Sequence, residues 1–161
     1  MLAGVAITLF LSFELSLSGS IPVKGWRDLV PLHSTRKDVE RLLGPPRSQQ
    51  DCVDNLCTYF LSDMNVLVHY SKGDCASGRG AWDAPVDTVI YITVYPKPGT
   101  RWSTFAIDKS KFTRTETGHI RQILSYINDD EGVIIRVNEE IDEISGFYYV
   151  PSVKDKHLRC P

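Results

Sequence analysis

The sequence predicts an α+β protein made of two quasi-repeated units, each with a short helical lead-in and a small antiparallel β-sheet. One short segment, residues 31–46, carries signals for both ends of a helix. Several later segments are rich in aromatic and β-branched residues and are separated by turn residues. A chain of 161 residues is long enough for two small units that share a core. We expect residues 21–98 to form the first unit and residues 99–161 to form the second.

The helical lead-in of the first unit is the best-marked element of the chain. Thr35 is a suitable N-cap, and Asp38 lies three residues later, which is the spacing of a capping box. Gly44 is the expected left-handed stop, and the two prolines that follow it prevent the helix from continuing. The predicted apolar stripe consists of Val39, Leu42 and Leu43. A helix this short is unstable by itself, so its stripe must pack against the sheet.

The strands are predicted from alternation and β-propensity. Residues 57–62 and 65–70 indicate a hairpin, and residues 141–150 indicate a final strand that ends at a proline. Residues 86–95 are the strongest strand candidate. They are apolar on both faces, which predicts a central strand that is covered on each side.

A weak internal repeat decides one ambiguous segment. Shifted by 55 residues, segment 86–96 aligns with segment 141–151, and shifted by 67 residues, segment 59–70 aligns with segment 126–137. Ile123, Leu124 and Ile127 also fit a helical spacing together with Ile120. The repeat predicts instead that residues 123–128 form a strand, and that segments 86–95 and 141–150 are each third in their unit.

The N-terminus and the cysteines indicate an exported protein. Residues 1–20 are almost wholly apolar and end in small residues, as in a signal peptide, although a retained membrane anchor is the alternative. The four cysteines are typical of two disulfides in an oxidising compartment, which predicts a secreted or periplasmic location. Turn residues between Cys52 and Cys57 favour their pairing, which leaves Cys75 to bond Cys160. The net charge of −2 gives no reason to expect nucleic acid as a partner.

The stretch STRKDVERLLGPP, followed by a predicted hairpin, resembles the start of the SmpA/OmlA (BamE-like) domain of bacterial envelope proteins. The match covers residues 31–95. A tandem duplication of such units resembles the β-lactamase-inhibitor-protein (BLIP) architecture. The chain departs from the assembly lipoproteins, because it has four cysteines and no cysteine near the end of the predicted signal peptide. The resemblance implies a binding role in the cell envelope and carries no catalytic motif.

The sequence offers few candidate site residues. No histidine or cysteine pair has the spacing of metal ligands, so we expect neither a metal nor a cofactor. Trp82 and Asp83, in a loop at residues 73–85, and Trp102 are the candidates for contact with a partner, because tryptophan often anchors interfaces. Each tryptophan could instead belong to the core.

We therefore expect a non-enzymatic domain that binds a protein or another envelope component through its sheet face and the 73–85 loop. The alternative is a small hydrolase or carbohydrate-active enzyme with a pair of carboxylates in a cleft. Its candidate residues are Asp83, Asp87 and Asp142. A third possibility is a purely structural role in an envelope complex.

Overall fold

The computed structural model describes residues 25–73, 75, 81–116 and 123–161. The predicted signal peptide, residues 1–20, lies outside the described residues. The strands are β1 (Cys52–Val53), β2 (Leu56–Phe60), β3 (Met64–Tyr70), β4 (Val89–Pro96), β5 (Thr113–Glu116), β6 (Ile123–Asn128), β7 (Val133–Asn138) and β8 (Glu143–Tyr149). They form one antiparallel sheet in the order β1-β2-β3-β4-β8-β7-β6-β5. The predicted strand at residues 123–128 is confirmed as β6.

The predicted fold class is wrong, because the chain is dominated by this sheet and does not have a helical lead-in to each half. Within the described residues the only α-helix is α1, Arg36–Leu43. The corresponding place in the second half is taken by a single 3₁₀ turn, Trp102–Thr104. No carboxylate follows there at the capping-box position. Asp108 instead accepts hydrogen bonds from the backbone N–H and the hydroxyl of Ser110, which favours a turn over a continuing helix.

Helix α1 has the predicted ends. Thr35 and Asp38 form a capping box, and Gly44 ends the helix with a φ of 79°. The predicted stripe is only partly correct. Val39 is fully buried and Leu43 packs against the core, but Leu42 is 45% exposed.

The sheet is built around a pseudo-twofold axis between its two central strands. β4 and β8 are each the third strand of a three-stranded meander, and they pair with one another. Ile92 lies opposite Tyr149, and Val94 lies opposite Phe147. The 55-residue shift maps Ile92 to Phe147 and Val94 to Tyr149. A twofold axis between β4 and β8 therefore carries the pair Ile92–Tyr149 onto the pair Phe147–Val94, as observed.

The same symmetry extends to the neighbouring strands. Tyr70 lies opposite Val89 after a β-bulge at Ile90 in β4, and Val137 lies opposite Ile144 after a β-bulge at Ser145, the matching place in β8. The 67-residue shift maps Tyr70 to Val137, and the 55-residue shift maps Val89 to Ile144, so the two pairs are equivalent. The repeat alignment needs one correction, because the structural counterpart of Tyr59 is Asn128, and the first hairpin has two more residues than the second.

One face of the sheet, which we call the covered face, carries the core. α1, the segment before it and Trp102 pack here, together with Phe105, whose ring lies 5.6 Å from that of Phe147. The core side chains of the strands that are fully excluded from water are mostly β-branched: Val66, Val68, Val89, Ile92, Val133, Ile135 and Val137. The other face of the sheet, which we call the open face, has no comparable layer of described residues over it.

Both predicted disulfides are present. Cys52 and Cys57 face each other across β1 and β2, and Cys75 bonds Cys160. The second bridge joins the loop before β4 to the C-terminal tail. In the same region Cys160 N–H donates to Ala81 O, and Asp83 N–H donates to Leu158 O, so the tail is also held by backbone hydrogen bonds. No described helix is long and apolar enough to cross a membrane.

Candidate functional site

The open face carries a shallow apolar groove. The prediction that residues 86–95 are covered on both sides is wrong, because the alternate side chains Tyr91 and Tyr95 are 36% and 39% exposed. Side chains that alternate along a strand point to opposite faces, so the aromatic residues of β4 lie on the side away from the core. Tyr91 and Tyr148 therefore help to line a shallow groove of about 660 Å³ on the open face.

The walls of this groove are mainly apolar. Leu67 and Thr93 form part of its lining in the middle of the sheet. Val53 and Leu56, whose side chains are 62% and 41% exposed, line it at the turn between β1 and β2. Exposed apolar residues that are grouped around a groove are typical of a binding surface, whereas scattered ones carry no such meaning.

The groove also has polar lining groups, among them Asp54, His69 and Thr93. The ring of His69 stacks on that of Tyr91 at 5.8 Å. Burial and the nearby charge of Lys72 lower the pKa of His69, so its imidazole is neutral at pH 7. The groove therefore presents mainly aromatic and aliphatic surface, and the exposed carboxylate of Asp54 is the charged group in its lining.

The predicted site residues separate into two places. Trp82 lies at the margin of the open face, where its Nε1–H donates to Tyr91 Oη at 3.2 Å and the Arg159 guanidinium lies 5.7 Å from its ring. Asp83 follows it and is exposed. Trp102 is only 7% exposed and packs against Tyr126 at 5.1 Å on the covered face, so it belongs to the core.

The sequence did not identify the tyrosines of the open face as site residues. The apolar pattern of residues 86–95 predicts cover on both faces, which would place Tyr91 and Tyr95 in the core. One signal could have revealed them. Aromatic residues with a hydroxyl group alternate with Val and Ile in β4, and tyrosine is well suited to a surface that is partly exposed to water.

The carboxylates proposed for an enzyme are not assembled in a cleft. Asp87 accepts a hydrogen bond from Arg36 Nε at 2.7 Å, and Asp142 accepts from the N–H and hydroxyl of Ser103. Asp87 and Asp142 occupy equivalent turns with positive φ, just before β4 and β8. Because β4 and β8 are antiparallel, these two carboxylates lie at opposite ends of the paired strands.

A smaller cavity of about 320 Å³ lies between the segment before α1 and the C-terminal tail. There His33 Nε2 lies 3.0 Å from Asp155 Oδ1, and Ser152 donates to the other oxygen of Asp155 from both its N–H and its hydroxyl. Burial would raise the pKa of Asp155, but the hydrogen bonds from Ser152 and the proximity of His33 outweigh it and lower the pKa.

These contacts predict a pH-dependent contribution to stability. The pKa of Asp155 is lowered by folding, so its contribution is present above the pKa of the unfolded chain, about 3.9, and is lost as the pH falls through the folded value. We expect Asp155→Asn to lower the free energy of unfolding by about 1–3 kcal/mol at pH 7. Urea unfolding should show a smaller difference between the two proteins at pH 3. An equal difference at both pH values would contradict this role of the carboxylate.

Comparison with known proteins adds little to this description. No family model and no curated protein matches the chain. Among solved structures, it is similar to a DUF4309 family protein (YjgB) from Bacillus subtilis. The two share 13% sequence identity, with 76% of this chain and 81% of that chain covered and a TM-score of 0.48. This likeness is too distant to carry a conclusion about function.

Proposed function

We propose that the protein is an exported, non-enzymatic domain that recognises a partner protein through the open face of its sheet. The observation that carries this proposal is the aromatic and aliphatic groove on a face with no described layer over it. Tyrosine is enriched at protein interfaces because it combines a large apolar surface with a hydrogen-bonding group.

The loop that contains Trp82 extends this surface. A second shallow cavity of about 310 Å³ shares Tyr91 and Val150 with the groove and is bordered by Trp82, Lys156 and Arg159. The tail that supplies Arg159 is held by the Cys75–Cys160 disulfide and by Ala81 O. A surface that is fixed in this way loses little conformational entropy on binding, which favours affinity.

Export is part of the proposal. Two disulfides fit a protein that is located outside the reducing cytosol. The apolar segment at residues 1–20 is the expected signal peptide, and its removal would leave the described sheet and both disulfides in the mature chain. The envelope is the expected place of the partner because the N-terminal half resembles an envelope domain.

The test is affinity capture with variants of the open face. The exported proteins of the native cell should be passed over the immobilised mature chain with its disulfides intact, and the bound proteins quantified by mass spectrometry. We expect Leu56→Asp and Tyr91→Asp each to reduce retention of the partner about tenfold or more, because a buried charge without a counterion opposes binding.

Ile141→Asp is the matched control, because Ile141 is 63% exposed and lies in the turn before β8. It should retain the partner as the wild type does, and circular dichroism should show that all variants are folded. Retention that is the same for the open-face variants and the wild type would reject the proposed surface. Retention of an envelope polysaccharide, with no protein, would reject a protein partner.

A further inference from the structure

Arg136 lies in β7 on the open face, and no carboxylate of the described residues pairs with it. It follows Ile135 in β7, and its cross-strand neighbours are Gly146 and Ser125. Its guanidinium lies 4.5 Å from the ring of Tyr148, and Nη1 donates to Tyr148 Oη at 3.3 Å. No carboxylate in the described part of the chain forms an ion pair with it.

The surroundings of this guanidinium are unusual for a structural arginine. The Nε atom is buried and has no hydrogen-bond acceptor among the described residues. The unbonded Nε leaves part of the desolvation cost of this charge uncompensated, and an anion beside the guanidinium would offset that cost electrostatically. By contrast, Arg36, which lies on the covered face, is bonded to the carboxylate of Asp87. The fold therefore supplies a counterion to Arg36, whereas none of the described residues supplies one to Arg136.

Two tyrosines complete the cluster. Tyr95 lies edge-on to Tyr148, with ring centroids 6.3 Å apart. Tyr148 Oη accepts from Arg136, so its own proton is available for another acceptor. Gly146 lies beside this cluster, and a Cβ there would touch the ring and hydroxyl of Tyr148 at ordinary contact distance, 3.4 Å. Tyr148 also lines the apolar groove, so the cluster and the groove form one continuous surface.

We propose that Arg136, with Tyr148 and Tyr95, binds the carboxylate of an aspartate or glutamate side chain on the partner protein, whose neighbouring apolar residues fill the groove. This inference rests on the proposed function and names the chemistry of the partner. A guanidinium suits a single carboxylate, and the apolar groove beside it suits the flanking residues of a polypeptide. A phosphate group would be expected to meet several cationic groups, and this cluster contains one.

The inference can be tested with small probes before the partner is known. The probes are 4-phenylbutyrate, which joins a carboxylate to an apolar body, its neutral analogue 4-phenylbutyramide, and inorganic phosphate. Each is titrated into the ¹⁵N-labelled mature protein, and amide chemical shifts are followed. We expect the carboxylate to perturb residues of β4, β7 and β8, and to bind about tenfold more tightly than the amide.

Arg136→Gln should remove this preference, so that the acid and the amide bind equally. Arg41→Gln is the matched control, because Arg41 is an exposed arginine of α1 and should leave the preference unchanged. Equal affinity of both probes for the wild type would reject the role of Arg136 while leaving the groove in place. Tighter binding of phosphate than of the carboxylate, or a preference that persists in Arg136→Gln, would also overturn it. Failure of every probe to perturb the open face would count against both the groove and the proposed function.

Discussion

Replacing both Cys75 and Cys160 with alanine is expected to lower the free energy of unfolding by about 4.5 kcal/mol. The bridge joins residues 85 apart in the sequence, so in the unfolded chain it closes a large loop and removes much conformational entropy. It also holds the tail against residues 81–83, where Cys160 N–H donates to Ala81 O. The measurement is urea unfolding of the oxidised proteins, with tyrosine and tryptophan fluorescence as the signal.

The Cys52–Cys57 bridge provides the control. Its cysteines are only five residues apart, and the same entropy argument gives about 2 kcal/mol for its removal. Each double variant truncates one buried cysteine, Cys57 or Cys160, so the cost of lost packing is similar in the two. An equal loss of stability in both variants, or a larger loss for the short loop, would show that the entropy of the unfolded chain does not set the order.

Gly132→Ala is expected to lower the free energy of unfolding by about 3 kcal/mol or more. Gly132 ends the turn between β6 and β7 with a φ of 65°, a conformation that an L side chain rarely adopts. A Cβ there would lie 2.1 Å from Val150 O. The N–H of Val150 donates a hydrogen bond to Gly132 O, so the two backbone segments are held close together. The turn and the segment after β8 would have to separate.

Gly99→Ala separates the two causes of this effect. Gly99 has a φ of 82°, but a Cβ at this position would contact nothing within 4 Å. Its substitution should therefore cost only the backbone term, about 1–2 kcal/mol. Thermal and urea unfolding of both variants checks the comparison. If Gly132→Ala costs no more than Gly99→Ala, the contact with Val150 does not constrain the fold.

The repeat was the most informative part of the sequence. Ile123, Leu124 and Ile127 fit a helical pattern, yet they form β6, because tertiary pairing with β7 overrides a local periodicity. The repeat also predicted that β4 and β8 are each third in their unit, but it did not predict that these two strands pair with each other. The second helical lead-in failed for a local reason. The segment after Trp102 has neither a capping box nor an apolar stripe, so the repeat preserved the position of the turn and not the helix.

The candidate site was only partly predictable. Trp82 was identified from its place in a loop, and it borders the open face. Trp102 was selected by the same reasoning but is buried, because residue type alone cannot tell an interface anchor from a core residue. Arg136 gave no signal at all. Its significance depends on the absence of a counterion around it in the described structure, and the sequence does not specify which carboxylates lie nearby.

The duplicated architecture has a consequence for the symmetry of the open face. Core positions that the repeat relates have similar residues, such as Val66 with Val133 and Val89 with Ile144. Related positions on the open face differ, since His69 corresponds to Arg136 and Tyr91 to Gly146. In a homodimer each substitution would occur twice and the face would stay symmetric. Because both halves belong to one polypeptide, each could diverge independently. If the open face binds a partner as proposed, this asymmetry would favour one partner in one orientation, and a one-to-one stoichiometry is the expected result.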